Sequence, residues 1–221
     1  MKKLLLLLIV SALTFSGCGK SNKDALAFKE DYESLNGVQN SHGFANRTIS
    51  ISKDNKFAFV KPSEIVKKIK NKETFYIYFG SKLCPWCRSV IEKADEVSRN
   101  KKIDKIYYVD IWDEEGNEIF RDKYELIDGK LTETYKGTKE YKYILNSIDK
   151  DLLRDYTLVN SDGDTIDVGE KRIYAPNFVY FKNGKAIRLV TGKSDKQTDP
   201  REKLSKEILK DEADTFNKFF K

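Results

Sequence analysis

The stretch from Thr74 to Phe79 limits the possible folds of this chain more than any other. It is almost wholly apolar or aromatic and shows no polar alternation, which is how a strand buried on both faces reads. Such a strand needs cover on each side, and helices supply it. The flanking sequence provides them. Pro62 and Ser63 open a helix with Ile65, Val66 and Ile69 on one face, and helical periodicity after Cys84 carries Val90, Ile91, Ala94 and Val97. Phe57 to Val60 and Lys105 to Ile111 read as two further strands. The order β–α–β–α–β by residue 111 predicts an α/β domain with parallel crossovers.

Between the buried strand and its helix lies Gly80-Ser81-Lys82-Leu83-Cys84-Pro85-Trp86-Cys87-Arg88. Two cysteines three residues apart on a first helical turn face the same side, close enough for a small adjustment to bridge them. Pro85 suits the first helical position, where its missing N–H costs nothing. Cys84 then sits at the positive end of the helix, which favours the attacking thiolate, and Cys87 is placed to resolve a mixed disulfide. Other uses of a C-x-x-C are less well served. Zinc needs further ligands, and the chain's single histidine is His42, in an irregular region; copper would want His or Met, and the only Met is the first residue. A static structural disulfide closing so short a loop would add comparatively little stability.

The remaining cysteine is explained by the N-terminus. Lys2 and Lys3 precede an apolar run from Leu4 to Phe15, too short to span a bilayer and suited to a secretory signal. Ser16 and Gly17 then lead into Cys18, an arrangement that resembles a bacterial lipobox, with Phe15 departing from the usual leucine. That resemblance implies a signal peptide over residues 1–17 and a diacylglyceryl anchor on Cys18, at the outer face of the cytoplasmic membrane. An ordinary signal peptide with an incidental Cys18 is the alternative. Residues 19–24 read as a polar tether within an N-terminal extension (18–56) that holds a short helix, Ala25 to Leu35, and one alternating run, Thr48 to Ser52, suited to a strand. The 41 basic and 35 acidic residues are interspersed, which speaks for a solvated surface and against nucleic acid as a partner.

Beyond residue 111 the signals thin out. Tyr141, Ile144, Leu145 and Ile148 suit a helix that Leu152 and Leu153 could extend. Tyr156 to Val168 reads as a hairpin turning at Asp162-Gly163, and Asn177 to Lys182 with Lys185 to Thr191 flank a strong Asn183-Gly184 turn. Leu204, Ile208, Leu209, Phe216, Phe219 and Phe220 mark a closing amphipathic helix.

The strand–Cys84-Pro85-Trp86-Cys87–helix unit, followed by Tyr174-Ala175-Pro176-Asn177-Phe178 before the last hairpin, resembles the thioredoxin-like superfamily. With the lipobox, the layout is similar to thioredoxin-like lipoproteins of Gram-positive bacteria, some of them termed bacteriocin transport accessory proteins. The resemblance covers residues 57–221 and implies a central mixed sheet flanked by helices, with an insertion at about 112–172 before the proline strand. It implies that Pro176 is cis and lies against the cysteines, and that the backbone of Ala175 binds substrate. Trp86 would sit at the rim and shape that contact, or merely cover the disulfide. Leu83 and Pro85-Trp86 differ from thioredoxin's own motif, and Tyr78 stands where thioredoxins keep a buried acid. The implied activity is dithiol–disulfide exchange with protein thiols and disulfides, through Cys84 and Cys87, with no cofactor, no metal and an unidentified redox partner. Two rivals are a non-catalytic accessory protein for peptide or bacteriocin export and a solute-binding lipoprotein.

The membrane expectation has a direct test. Wild-type protein should partition into detergent from whole cells, and Cys18→Ala should release it or leave it uncleaved. A soluble wild-type protein with a different mature N-terminus would contradict the anchor.

Overall fold

The computed structural model describes residues 18–40 and 43–221, with side chains from residue 23 onward. The expected signal segment (1–17), the side chain of Cys18 and His42 lie outside the described residues. In chain order the elements are α1 (Cys18–Glu33), β1 (Phe57–Phe59), α2 (Pro62–Lys70), β2 (Phe75–Gly80), α3 (Pro85–Asn100), β3 (Ile106–Asp110), β4 (Lys123–Ile127) and β5 (Lys130–Tyr135). There follow α4 (Lys139–Asn146), a 3-10 turn (Lys150–Leu152), β6 (Arg154–Val159), β7 (Thr165–Arg172), β8 (Asn177–Lys182), β9 (Lys185–Val190) and α5 (Lys206–Phe219). Among the described residues no helix is long and apolar enough to cross a membrane.

The molecule is mixed α/β. One five-stranded sheet has the order β1-β3-β2-β8-β9. β3 pairs in parallel with both β1 and β2, whereas β8 runs antiparallel to β2 and β9. All six residues of β2 are buried, as its unbroken apolar pattern requires. Tyr76 and Tyr78 point into one core with Phe28 and Tyr32 of α1, Val90 and Ile91 of α3 and Phe216 of α5. Phe75, Ile77 and Phe79 point into the other, with Ile65 and Ile69 of α2 and Tyr141 and Ile144 of α4. The period of two along one strand therefore assigns the helices to their faces.

The N-terminal extension differs from the sequence-based expectation. Helix α1 is described from Cys18, so residues 19–24 belong to it ahead of the expected start at Ala25, and the core draws on Phe28, Tyr32, Ile49 and Ile51 well before residue 57. Thr48 to Ser52 joins no ladder. Its consecutive backbone N–H groups are taken instead by side chains: Ile49 donates to Asn36 Oδ1 (3.0 Å), Ser50 to Glu92 (2.8 Å), Ile51 to Glu33 (2.7 Å) and Ser52 to Asp95 (2.9 Å). Carboxylates of α1 and α3 thus do what a neighbouring strand would have done.

The 112–172 region folds as two hairpins around α4. The first, β4–β5, turns at Asp128 and Gly129, both with positive φ (51° and 74°). Its strands hold exposed and half-buried residues and no buried one, so they lack the apolar run that marks β2. Leu152 does not extend α4, because Asp149 accepts a bond from the N–H of Asp151 and starts a turn of its own. A buried ion cluster anchors the region: Glu118 accepts from Arg121 (2.6 Å) and Arg172 (3.2 Å), and Arg121 also donates to the carbonyl of Ile173 (3.1 Å).

On α5, Glu212 is fully buried and neither carboxylate oxygen has a hydrogen-bond partner. Burial raises its pKa from 4.5 to about 8, against the pull of Lys93 and Arg47. A raised folded-state value means that this group's contribution to stability is complete below its unfolded value and is lost as pH rises through about 8. Urea denaturation should show stability falling from about pH 5 to about pH 8 and levelling off above that, and Glu212→Gln, which lacks this slope, should exceed wild type at the upper end by on the order of 1–2 kcal/mol. Identical pH profiles for the two proteins would assign the loss to another group.

Candidate functional site

β2 ends at Gly80, and four residues later Cys84 forms the N-cap of α3, in extended conformation (φ −81°, ψ 116°) with Pro85 at the first helical position. The cap is a sulfur: the N–H of Cys87 donates to Cys84 Sγ at 3.4 Å. The two cysteines are unbridged. Across the site, the Ala175–Pro176 peptide bond is cis, and the Cys84 thiol donates to the carbonyl of Ala175 at 3.6 Å. The loop behind it is held by Asn177, whose side chain accepts from the N–H of Tyr174 (2.7 Å) and donates to the carbonyl of Pro176 (2.9 Å). Residues 84, 87 and 175, separated by some ninety positions in sequence, thus meet at one end of β2.

The two thiols differ electrostatically. A hydrogen bond from the Cys87 thiol holds the Cys84 pKa below its ordinary value. The N–H groups of Cys87 and Trp86 and the charge of Arg121 add to this, while burial opposes it. Burial pushes Cys87 well up, and its bond to Cys84 adds to that; a hydrogen bond from Tyr78 acts in the opposite direction. The arrangement has one thiol disposed to ionise and one disposed to keep its proton. Both thiols are shielded, Cys84 4% exposed and Cys87 0%, and Trp86 and Ala175 pack against the cluster that holds them. Trp86 itself is half-buried, with Lys193 Nζ 3.4 Å from its ring centre.

Tertiary contacts place the other residues of the site. Tyr78 stacks between Tyr108 and Phe178, and its hydroxyl lies 2.9 Å from that of Tyr32. Its ring passes over Gly80, where an added Cβ would come within 2.2 Å of the phenol oxygen. Gly80 is therefore what lets the phenol reach the end of the strand beside Cys87. Asp110 pairs in register with Gly80 and accepts from the N–H of Trp112 at 3.1 Å; burial lifts its pKa to about 6. A half-buried acid thus stands at the end of β3, level with the end of β2. Its only trace in the sequence is a carboxylate ending an apolar strand. Arg88, directly after Cys87, is fully buried and donates to the carbonyls of Tyr32 (2.7 Å) and Arg47 (2.6 Å) and to Asn36 Oδ1 (2.7 Å). Lys82 pairs with Asp31 and Glu114, each at 2.7 Å. Among the described residues no cluster of His, Cys, Asp or Glu could hold a metal ion.

Neither a protein-family model nor a curated protein matches this chain.

The Tyr78 phenol lowers the pKa of Cys87, so removing it should raise that value further. In reduced protein, alkylation followed by mass mapping should label Cys84 before Cys87. Tyr78→Phe, which keeps the ring stacking, should slow Cys87 labelling severalfold and leave Cys84 nearly unchanged. An unaltered Cys87 rate would remove Tyr78 from the site's proton chemistry.

Proposed function

We propose that this chain is an extracytoplasmic thiol–disulfide oxidoreductase with a thioredoxin-like fold, held to the membrane through Cys18. The observation that carries the reading is the pairing of a stabilised Cys84 with a proton-retaining Cys87 against the carbonyl of Ala175. The mixed sheet, the C-x-x-C between β2 and α3 and the proline before β8 agree with the resemblance seen in the sequence.

In the reducing direction, the Cys84 thiolate attacks one sulfur of a client disulfide. The client S–S bond breaks, a Cys84–client disulfide forms, and the client's other sulfur leaves as a thiolate that takes a proton. Cys87 then loses its proton and attacks Cys84 Sγ. The mixed disulfide breaks, Cys84 and Cys87 become bridged, and the second client thiol departs. Two electrons have passed from the pair to the client, and a dithiol donor returns them. Run backwards, the same steps oxidise a client dithiol. The Tyr78 phenol, bonded to Tyr32, would steady Cys87 as its charge develops. The backbone at Ala175, next to Cys84 Sγ, would hold the client's extended chain.

A second reading rests on the burial of Cys84, only 4% exposed, which also suits an accessory protein that docks partners without exchanging disulfides. Single mutants separate the two. Cys87→Ser should accumulate covalent adducts with client proteins on non-reducing gels, since attack proceeds and resolution does not. Cys84→Ser should trap almost none and lose insulin reduction by at least a hundredfold. Absence of adducts in both, with no reductase activity in wild type, would favour the accessory reading.

A further inference from the structure

A cleft of about 290 Å³ opens beside the thiols, lined by Trp86, Arg154, Thr157, Tyr174, Ala175 and Lys193 among others. That is room for roughly ten waters or a couple of side chains. Its lining includes Ala175, whose carbonyl Cys84 contacts, and three residues of β6 in the insertion, Arg154, Asp155 and Thr157. Two cations stand in it. The Lys193 ammonium lies on the face of Trp86, and Arg154 is exposed at the start of β6.

Neither cation is neutralised: no ion pair joins Lys193 or Arg154 to a carboxylate among the described residues. Burial and the neighbouring charge of Arg154 lower the Lys193 pKa, with only the exposed Asp195 pulling the other way. Asp155 also lines the cleft, but Lys171 pairs with it at 2.8 Å. The leading cation acting on Cys84 is Arg121, so the pair at 154 and 193 is not explained by activation of the thiol. A half-buried lysine and an exposed arginine that repel each other beside the proposed client-binding edge both gain from an anionic side chain laid between them.

We propose that this cleft selects client segments bearing an acidic residue within a few positions of the reacting cysteine, with Lys193 and Arg154 as its carboxylate receptors and Trp86 as its floor. The proposal rests on the reading of the chain as a disulfide oxidoreductase, and it gives the insertion a task, namely client selection. Phosphorylated or sulfated side chains share the chemistry, and the test includes one such peptide.

Three disulfide peptides identical except for flanking Glu, Ser or Lys residues should be reduced at different rates, with the Glu peptide favoured over the Lys peptide by at least fivefold in kcat/KM at low salt. The ratio should shrink as ionic strength rises. In Lys193→Gln/Arg154→Gln it should fall close to one. A phosphoserine peptide reduced faster than the Glu peptide would move the occupant to phosphorylated clients. In parallel, calorimetry with the same peptides carrying Ser in place of Cys reads binding without redox chemistry. Turnover with no acidic preference, or a preference that survives the double substitution, would overturn the cleft proposal and leave the oxidoreductase reading standing. Binding of the acidic peptide without any turnover would do the reverse.

Discussion

One buried cation holds the site together. The guanidinium of Arg88 follows Cys87 by a single residue, is wholly shielded from water and has no carboxylate partner among the described residues. Its charge is met by the carbonyls of Tyr32 and Arg47 and by the amide of Asn36, all supplied by the N-terminal segment. Hydrogen bonds to a charged group are each worth about 1.5–3 kcal/mol, and leaving such a group buried without them costs more than that. The segment before residue 57 is therefore bound to the first turn of α3, and with it Tyr32 is set against Tyr78 and Asp31 against Lys82. Without that attachment the floor of the thiol site would open to water.

β2 carries the second constraint. Because it is buried on both faces, its odd and even residues serve different ends. Phe75, Ile77 and Phe79 fill one core and do nothing chemical. Tyr76 and Tyr78 fill the other and keep a polar tip each: Tyr76 donates to the carbonyl of Lys221 at 2.9 Å, and Tyr78 meets Tyr32. A phenol in this place differs from a carboxylate in kind. It packs like an aromatic ring, bears no charge to desolvate near neutral pH, and still offers a hydrogen bond to a developing thiolate. The carboxylate at this end of the sheet is Asp110 of the adjacent β3, whose pKa burial lifts to about 6.

The insertion is attached by charge as well as by apolar burial, for Phe120, Tyr141, Ile144, Ile148 and Leu153 share a core with β2. Glu118, Arg121 and Arg172 form a buried triad, and Arg172 also lies over the ring of Tyr156 at 3.9 Å. Breaking a buried pair by removing one partner is strongly destabilising, about 3–5 kcal/mol, because the other charge stays behind unpaired. This arrangement fixes β6 at the edge of the thiol site while leaving most of both hairpins exposed, which explains why their sequences look unlike core strands.

What lies close together along the chain was legible in it. The apolar run of β2, the helical period after Cys84, the Asn183-Gly184 turn and the placing of Pro85 after Cys84 each depend on neighbours within a turn or a strand. So did the prospect of an ionisable thiol at Cys84, since a helix N-terminus favours negative charge wherever it points. The segment 48–52 shows the limit: its alternation promised a strand, yet whether a strand or a row of carboxylates would meet its N–H groups was decided by α1 and α3. Arg88, Tyr32, Asp110, Arg154 and Lys193 entered the site only through contacts spanning dozens of residues, and no local pattern marks which of many arginines, tyrosines, aspartates and lysines will be buried. Periodicity and capping are short-range physics and can be read from a string. Desolvation and charge pairing depend on which distant groups share a volume, and only the folded chain brings them there.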